Sequence, residues 1–282
     1  MNINQLWYTV AKSRLRRPLN RVRHWGLDRH DVFIASYPRS GNTWLRFVLF
    51  DLLVRGVQSG FDELNHIIPD VGLHLRATPL LPGQGRLLKT HEPFHKEYRK
   101  AIYLVRDVRD VALSEYAYQK GIGWIKEEFG SFLPRFVAGT VNPFTPWHDH
   151  VLGWIDSPVA STPNLLILRF EQLRQDTEEV IRGVLDFLEV DVASDAVRIA
   201  IANNSLRRLQ EKEAQQPQLS ASAIHSTDLR FIRRGDIGNW RTQLTQPQLL
   251  LLDKSSRDVL QRLGYPVGKE SQALLEESNA YN

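Results

Sequence analysis

The chain has 282 residues, 42% of them hydrophobic, no cysteine, and a formal charge of +4; this excludes disulfides, thiol catalysis and Cys-based metal sites, and leaves ample apolar surface for one large core. No apolar run approaches the roughly 20 residues that span a bilayer, and the N-terminus lacks the apolar core and cleavage site of a signal peptide, so a cytoplasmic protein is expected. The basic excess lies in residues 1–30, where Lys12, Arg14, Arg16, Arg17, Arg21, Arg23 and Arg29 stand against Asp28 alone.

Within that basic segment Leu6, Trp7 and Val10 share one helical face. The reading is a helix packed on the domain by that face. Contact with an anionic membrane surface is the alternative, and nucleic acid is not expected as a partner.

The stretch "DVFIAS" (31–36) predicts a buried strand, and "WLRFVLFDLLVRG" after it predicts a helix ending near Gly56. "GRLLKTHEP" (85–93) is a second short apolar run, "KAIYLVRDVRDVALSEYAYQKG" passes from a strand at Ala101–Val105 into a helix, and a third such unit has a strand near Leu165–Arg169 and a helix from about Asp176. Strands alternating with helices predict a single α/β domain with a central, mostly parallel sheet flanked by helices on both faces. The intervening stretches rich in Gly, Pro, His and aromatics are of the kind that wall a ligand pocket. The expected division is a basic segment 1–30, a domain 31–266 and a tail 267–282.

Between the first strand and helix lies "YPRSGNTW" (37–44). A helix start after a buried strand presents backbone N–H groups and the positive end of its dipole. Gly41 permits close approach, Ser40, Asn42 and Thr43 offer short donors, and Arg39 adds a permanent charge. The Walker pattern is absent, since the loop has one glycine and its cation precedes it. An ordinary helix entry with a capping side chain is the plain alternative.

"YPRSGNTW" resembles the 5′-phosphosulfate loop of the soluble, cytosolic-type sulfotransferases, usually Y-P-K-S-G-T-x-W, with Arg39 for the customary Lys. Three further segments follow in the family's order. "LLKTHEP" resembles K-T-H-x-P, which implies His91 as catalytic base and Lys89 as a neighbouring cation. "RDVRDVALS" resembles the 3′-phosphate element and implies Arg106 and Ser114; "FIRRGDIGNWRTQLT" implies Arg233, Arg234 and Gly235 at the same phosphate. Weaker echoes set Phe170, Ser205 and Leu206 near adenine, with Trp44 stacking on it. The resemblance, over about 31–266, implies transfer of a sulfuryl group from 3′-phosphoadenosine 5′-phosphosulfate (PAPS, product PAP) to a hydroxyl or amine, with no metal required. The rivals are a P-loop kinase-like phosphoryl transferase and a non-catalytic or membrane-peripheral nucleotide-binding protein.

For Arg109 the expectation is a solvated helix face paired with Asp107 and Asp110. The aromatics Trp124, Phe129, Phe132, Phe136, Phe144, Trp147 and Trp154 read as core first, and as a wall for a small apolar or aromatic acceptor second. His148 and His150 either line the pocket or sit on a helix. The family's dimer motif is not preserved, because "RTQLTQPQLL" has Gln246 for Val and Leu250 for Glu.

Overall fold

The computed structural model describes residues 22–54, 57, 59–216 and 235–280. Strands β1 (Val32–Ser36), β2 (Leu87–Thr90), β3 (Ala101–Val105) and β4 (Leu165–Arg169) form a sheet in the order β2-β1-β3-β4, with every pairing parallel. Registers Ala35↔Thr90, Ser36↔Leu104 and Val105↔Arg169 bring all four carboxyl ends to one edge.

The helices in chain order are α1 (Asn42–Leu53), α2 (Phe61–Ile67), α3 (Val108–Gly121), α4 (Phe129–Val137), α5 (Trp147–Ile155), α6 (Phe170–Gln175), α7 (Thr177–Leu188), α8 (Ala196–Asn203), α9 (Leu206–Gln215), α10 (Trp240–Gln243), α11 (Gln246–Arg262) and α12 (Lys269–Ala280). Strands β1 and β3 are buried along their whole length, because helices cover both faces. Alternate residues therefore go to opposite sides. Phe33, Ala35, Tyr103 and Val105 join a core with Val111, Trp147 and Leu252, whereas Ile34, Ile102 and Leu104 join one with Phe47, Val48 and Val184.

The aromatic insertion is mostly core. Phe132, Phe136, Trp147 and Trp154 are buried, and Trp154 spends its indole N–H on the carbonyl of Glu92 at 3.2 Å. The segment left as a tail by the sequence carries α12, which packs through buried Leu275 and Ser271. A short helix that the sequence did not announce, α6, follows β4 directly. The Leu6, Trp7, Val10 face lies outside the described residues, as do Arg233 and Arg234.

Residues 22–30 are joined to the domain by Arg23, which donates to Glu92 Oε1 at 2.8 Å, and by the buried His24, whose Nε2 lies 2.7 Å from Tyr98 Oη. Among the described residues no helix is long and apolar enough to cross a membrane.

Candidate active site

The loop from β1 to α1 turns sharply, with Arg39 at φ 69° and Gly41 at φ 94°. Gly41 is required twice. Its backbone is left-handed, and a Cβ there would stand 2.6 Å from the Phe170 ring. Asn42 Nδ2 donates to Ile34 O at 2.9 Å and ties the helix entry to β1. Among the described residues no side chain caps α1, and the buried Ser40 hydroxyl has no hydrogen-bond partner. Uncapped N–H groups beside an orphaned hydroxyl fit a bound anion.

His91 stands where β2 ends, one strand over from the loop. Its Nδ1 lies 2.8 Å from the carbonyl oxygen of Ser36, with Ser36 Oγ at 3.2 Å. A carbonyl can only accept, so Nδ1 carries the proton and the neutral ring keeps its lone pair at Nε2. Behind it, His150 Nε2 donates to His91 O at 3.1 Å and His150 Nδ1 faces Tyr103 Oη at 2.9 Å. Burial, reinforced by the Lys89 charge and by His150, pushes the His91 imidazole down to about 3, against the opposing pull of Asp70 and the Ser36 carbonyl. The ring is held neutral. Phe144 meets it edge-on at 5.9 Å between centroids.

Lys89 Nζ lies 3.0 Å from each carboxylate oxygen of Asp70. Burial lowers the lysine's basicity and Asp70 counters in part.

The third strand end supplies Arg106. Its guanidinium donates to Arg39 O at 3.1 Å and to Asp236 O at 2.8 Å, and lies over the Phe170 ring at 4.5 Å. Arg106 Nε is buried and has no hydrogen-bond partner among the described residues. Asp110 accepts the backbone N–H groups of Gly238 (2.7 Å) and Trp240 (3.1 Å), so α3 anchors residues 238–240 close to the Asp236 carbonyl that Arg106 binds. Burial raises Asp110 to about 6 despite the facing Arg106.

The expectation of a solvated Arg109 is overturned. Its side chain is fully buried, 2.6 Å from Asp107 and 3.5 Å from Asp253, donates to Pro266 O at 3.0 Å, and lies 4.0 Å from the Trp240 ring centroid. The helix face read as solvent-exposed is covered by α10 and α11, which arrive from the far end of the chain. Asp110 belongs to the same buried cluster.

Arg39 points along α3, with Nε donating to Ser114 Oγ at 3.2 Å and the guanidinium 4.9 Å from the Tyr118 ring centroid. Thr43 follows Asn42 in the first turn of α1. Trp44 donates its indole N–H to Asn204 O at 3.0 Å, which brings α1 to the turn holding Ser205 and Leu206, and Arg174 lies over its ring at 5.0 Å. Phe170 packs on the loop at Gly41, under Arg106. A cleft of about 780 Å³ lies elsewhere, between the outer edge of β4 and α7.

The family model described as a sulfotransferase domain matches residues 29–264. The chain belongs to this family. It is 26% identical to sulfotransferase 2A1 of Mus musculus over 250 residues, covering 84% of this chain and 86% of that protein, and 28% identical to sulfotransferase 2A1 of Homo sapiens over 236 residues, covering 79% and 82%. Among solved structures it is similar to mouse sulfotransferase SULT7A1 complexed with PAP, with a TM-score of 0.70 at 21% identity over 94% of each chain. A retinol dehydratase in complex with retinol and PAP gives 0.66 at 22% identity, covering 87% of this chain and 86% of that one. These structures share the sulfotransferase fold.

The fold joins the motif residues at one sheet edge: Arg39, Ser40, Gly41, Asn42 and Trp44 from the first strand end, Lys89 and His91 from the second, Arg106 and Ser114 from the third. Four further side chains support these residues, Asp110 from within the "RDVRDVALS" segment and the other three from outside the motifs. Ser36 orients His91, His150 holds its carbonyl, Asp110 anchors the C-terminal segment, and Asp70 pairs with Lys89. Ser36 was approachable from sequence as the last residue of a predicted strand ahead of the loop, His150 as one of two histidines read as lining the pocket or sitting on a helix, and Asp110 as a partner of Arg109; Asp70 was not. In the dimer-motif stretch, Thr245 and Gln248 form a capping box that starts α11.

Proposed function

We propose that this chain transfers a sulfuryl group from PAPS to a hydroxyl or amine of a small-molecule acceptor, leaving PAP. One observation carries the reading: His91 donates from Nδ1 to the Ser36 carbonyl and so presents Nε2 as a base beside an anion-binding loop. PAPS supplies an activated sulfuryl group, whose bond to the 5′-phosphate breaks as the acceptor oxygen or nitrogen bonds to sulfur.

His91 Nε2 takes the acceptor's proton. Lys89 meets the sulfuryl oxygens beside His91, while the loop N–H groups of residues 40–43 and Arg39 offset the charge growing on the departing phosphate. Arg39 acts by charge: its Nε is spent on Ser114, and a guanidinium is a poor proton donor. Arg106, Ser114 and Gly235, with Arg233 and Arg234, hold the 3′-phosphate; the orphaned Arg106 Nε supports this. Trp44, Phe170, Ser205 and Leu206 flank the adenine. Retinol dehydratase has been solved with androsterone and with retinol; together with Phe144 beside His91 this supports an apolar acceptor. Residues 31–266 form the working domain of a cytoplasmic protein, and segment 1–30 adds weak contact with a membrane surface at most.

Calorimetry without magnesium, comparing PAP with ATP and AMP, tests the assignment. Tight binding of PAP with weak binding of ATP is expected. Tight ATP binding with none of PAP favours a kinase-like enzyme and ends the sulfotransfer reading.

A further inference from the structure

Asp70 belongs to none of the segments that carry the sulfotransferase resemblance, yet both of its carboxylate oxygens reach the Lys89 ammonium at 3.0 Å. The backbone builds this contact. Lys89 N–H donates to Pro69 O at 2.8 Å and Val71 N–H to Lys89 O at 2.8 Å, so residues 69–71 lie along β2 in parallel register with Asp70 opposite Lys89. Residues opposite each other in such a pairing send their side chains to the same face. From α1, the buried Arg46 donates to Leu64 O at 3.3 Å and to Ile68 O, which fixes the chain entering the bridge.

The charges around the pair are few and identifiable. Asp70 faces Lys89, Arg46 and His91; Lys89 faces Asp70, Arg46 and Arg23. Burial opposes ionisation of Asp70, but the Lys89 and Arg46 cations, with a smaller pull from the His91 ring, keep it below its ordinary value, so the carboxylate is charged. The ammonium therefore sits between a fixed carboxylate and the site where, on the reading above, the donor's sulfuryl oxygens lie.

We propose that Asp70 is a positioning residue of the transfer reaction: it fixes the Lys89 ammonium beside His91 and competes with the donor's sulfuryl oxygens for its N–H groups. An ammonium has three donors and one charge, so each anion weakens its hold on the other. The competition lowers binding of the donor before reaction, the stage at which its sulfuryl oxygens carry their full charge. The inference rests on the sulfotransfer reading and assigns a residue to it.

The test measures PAPS and PAP affinity by calorimetry in the wild-type chain, Asp70→Asn, Asp70→Glu, Lys89→Met and the double variant Asp70→Asn with Lys89→Met. PAP lacks the sulfuryl group, so its binding reports an intact folded site in every variant. Asp70→Asn is expected to tighten PAPS by about threefold to tenfold and to leave PAP within about twofold. In the Lys89→Met background the same substitution should no longer separate the two nucleotides, and Asp70→Glu should restore the wild-type ratio. Equal shifts for PAPS and PAP, or an Asp70→Asn effect that survives removal of Lys89, overturn the assignment. A wild-type chain that binds PAP and PAPS with a ratio insensitive to Asp70→Asn defeats Asp70 alone; one that binds neither defeats the sulfotransfer reading and Asp70 with it.

Discussion

His91 owes its chemistry to a backbone carbonyl. The Nδ1–H bond to Ser36 fixes tautomer and ring orientation at once, and no carboxylate is needed in that place. His91→Ala should therefore keep PAP affinity within about twofold while lowering transfer by on the order of 10² to 10⁴; a single-turnover assay beside calorimetry separates the two, and unchanged transfer removes His91 as base. The pH dependence follows from the depressed basicity of the ring. Its value of about 3 in the folded chain lies below the ordinary imidazole value near 6.5, because burial and Lys89 outweigh Asp70, with His150 adding to the depression. The neutral form is thus favoured by folding. Its stabilising effect is complete above about pH 6.5 and is lost as the pH falls from there toward 3. The acid limb of kcat/KM for the donor should accordingly lie below pH 6.5, whereas a limb at or above that value contradicts a neutral His91 in the free enzyme. His91 and Lys89 were legible as a motif. Asp70 was not, since nothing in the spacing of an irregular loop tells which carboxylate will fall into register with β2.

The loop between β1 and α1 works as an element because three conditions hold together: a left-handed Gly41, the Phe170 ring packed against it, and an uncapped helix start. Gly41→Ala should cost about 1–3 kcal/mol through the forced left-handed backbone, and should weaken PAP as the ring or the loop moves. Urea unfolding and calorimetry check both, and a variant unchanged in each would contradict this account. Helix α3 has a different task. It presents Arg106 and holds the distant segment 235–240 through Asp110. Arg106→Ala is expected to weaken PAP far more than adenosine 5′-phosphosulfate, which lacks the 3′-phosphate; equal losses contradict the proposed contact. The order of these elements was readable from alternating periodicity. The burial of Arg109 was not, because the residues that cover it, Trp240, Asp253 and Pro266, come from far along the chain, the last two 144 and 157 positions away.

At the scale of the molecule, that buried cluster locks the C-terminal helices to α3. Arg109→Met would strand Asp107 and Asp253 without their shared cation, so a loss of about 3–5 kcal/mol is expected in thermal or denaturant unfolding; a loss below about 1 kcal/mol would show that α11 is held chiefly by its apolar contacts. By itself the sequence determined the parallel α/β class, the chain order of the segments that resemble the family's motifs, and the sulfotransferase family, because periodicity and short contiguous motifs are local properties. The tertiary structure alone decided which nitrogen of His91 is free to accept a proton, which carboxylate restrains Lys89, and that the "RDVRD" face is interior. Those depend on strand register and on helices returning from distant sequence, and no local pattern records where a returning segment will land.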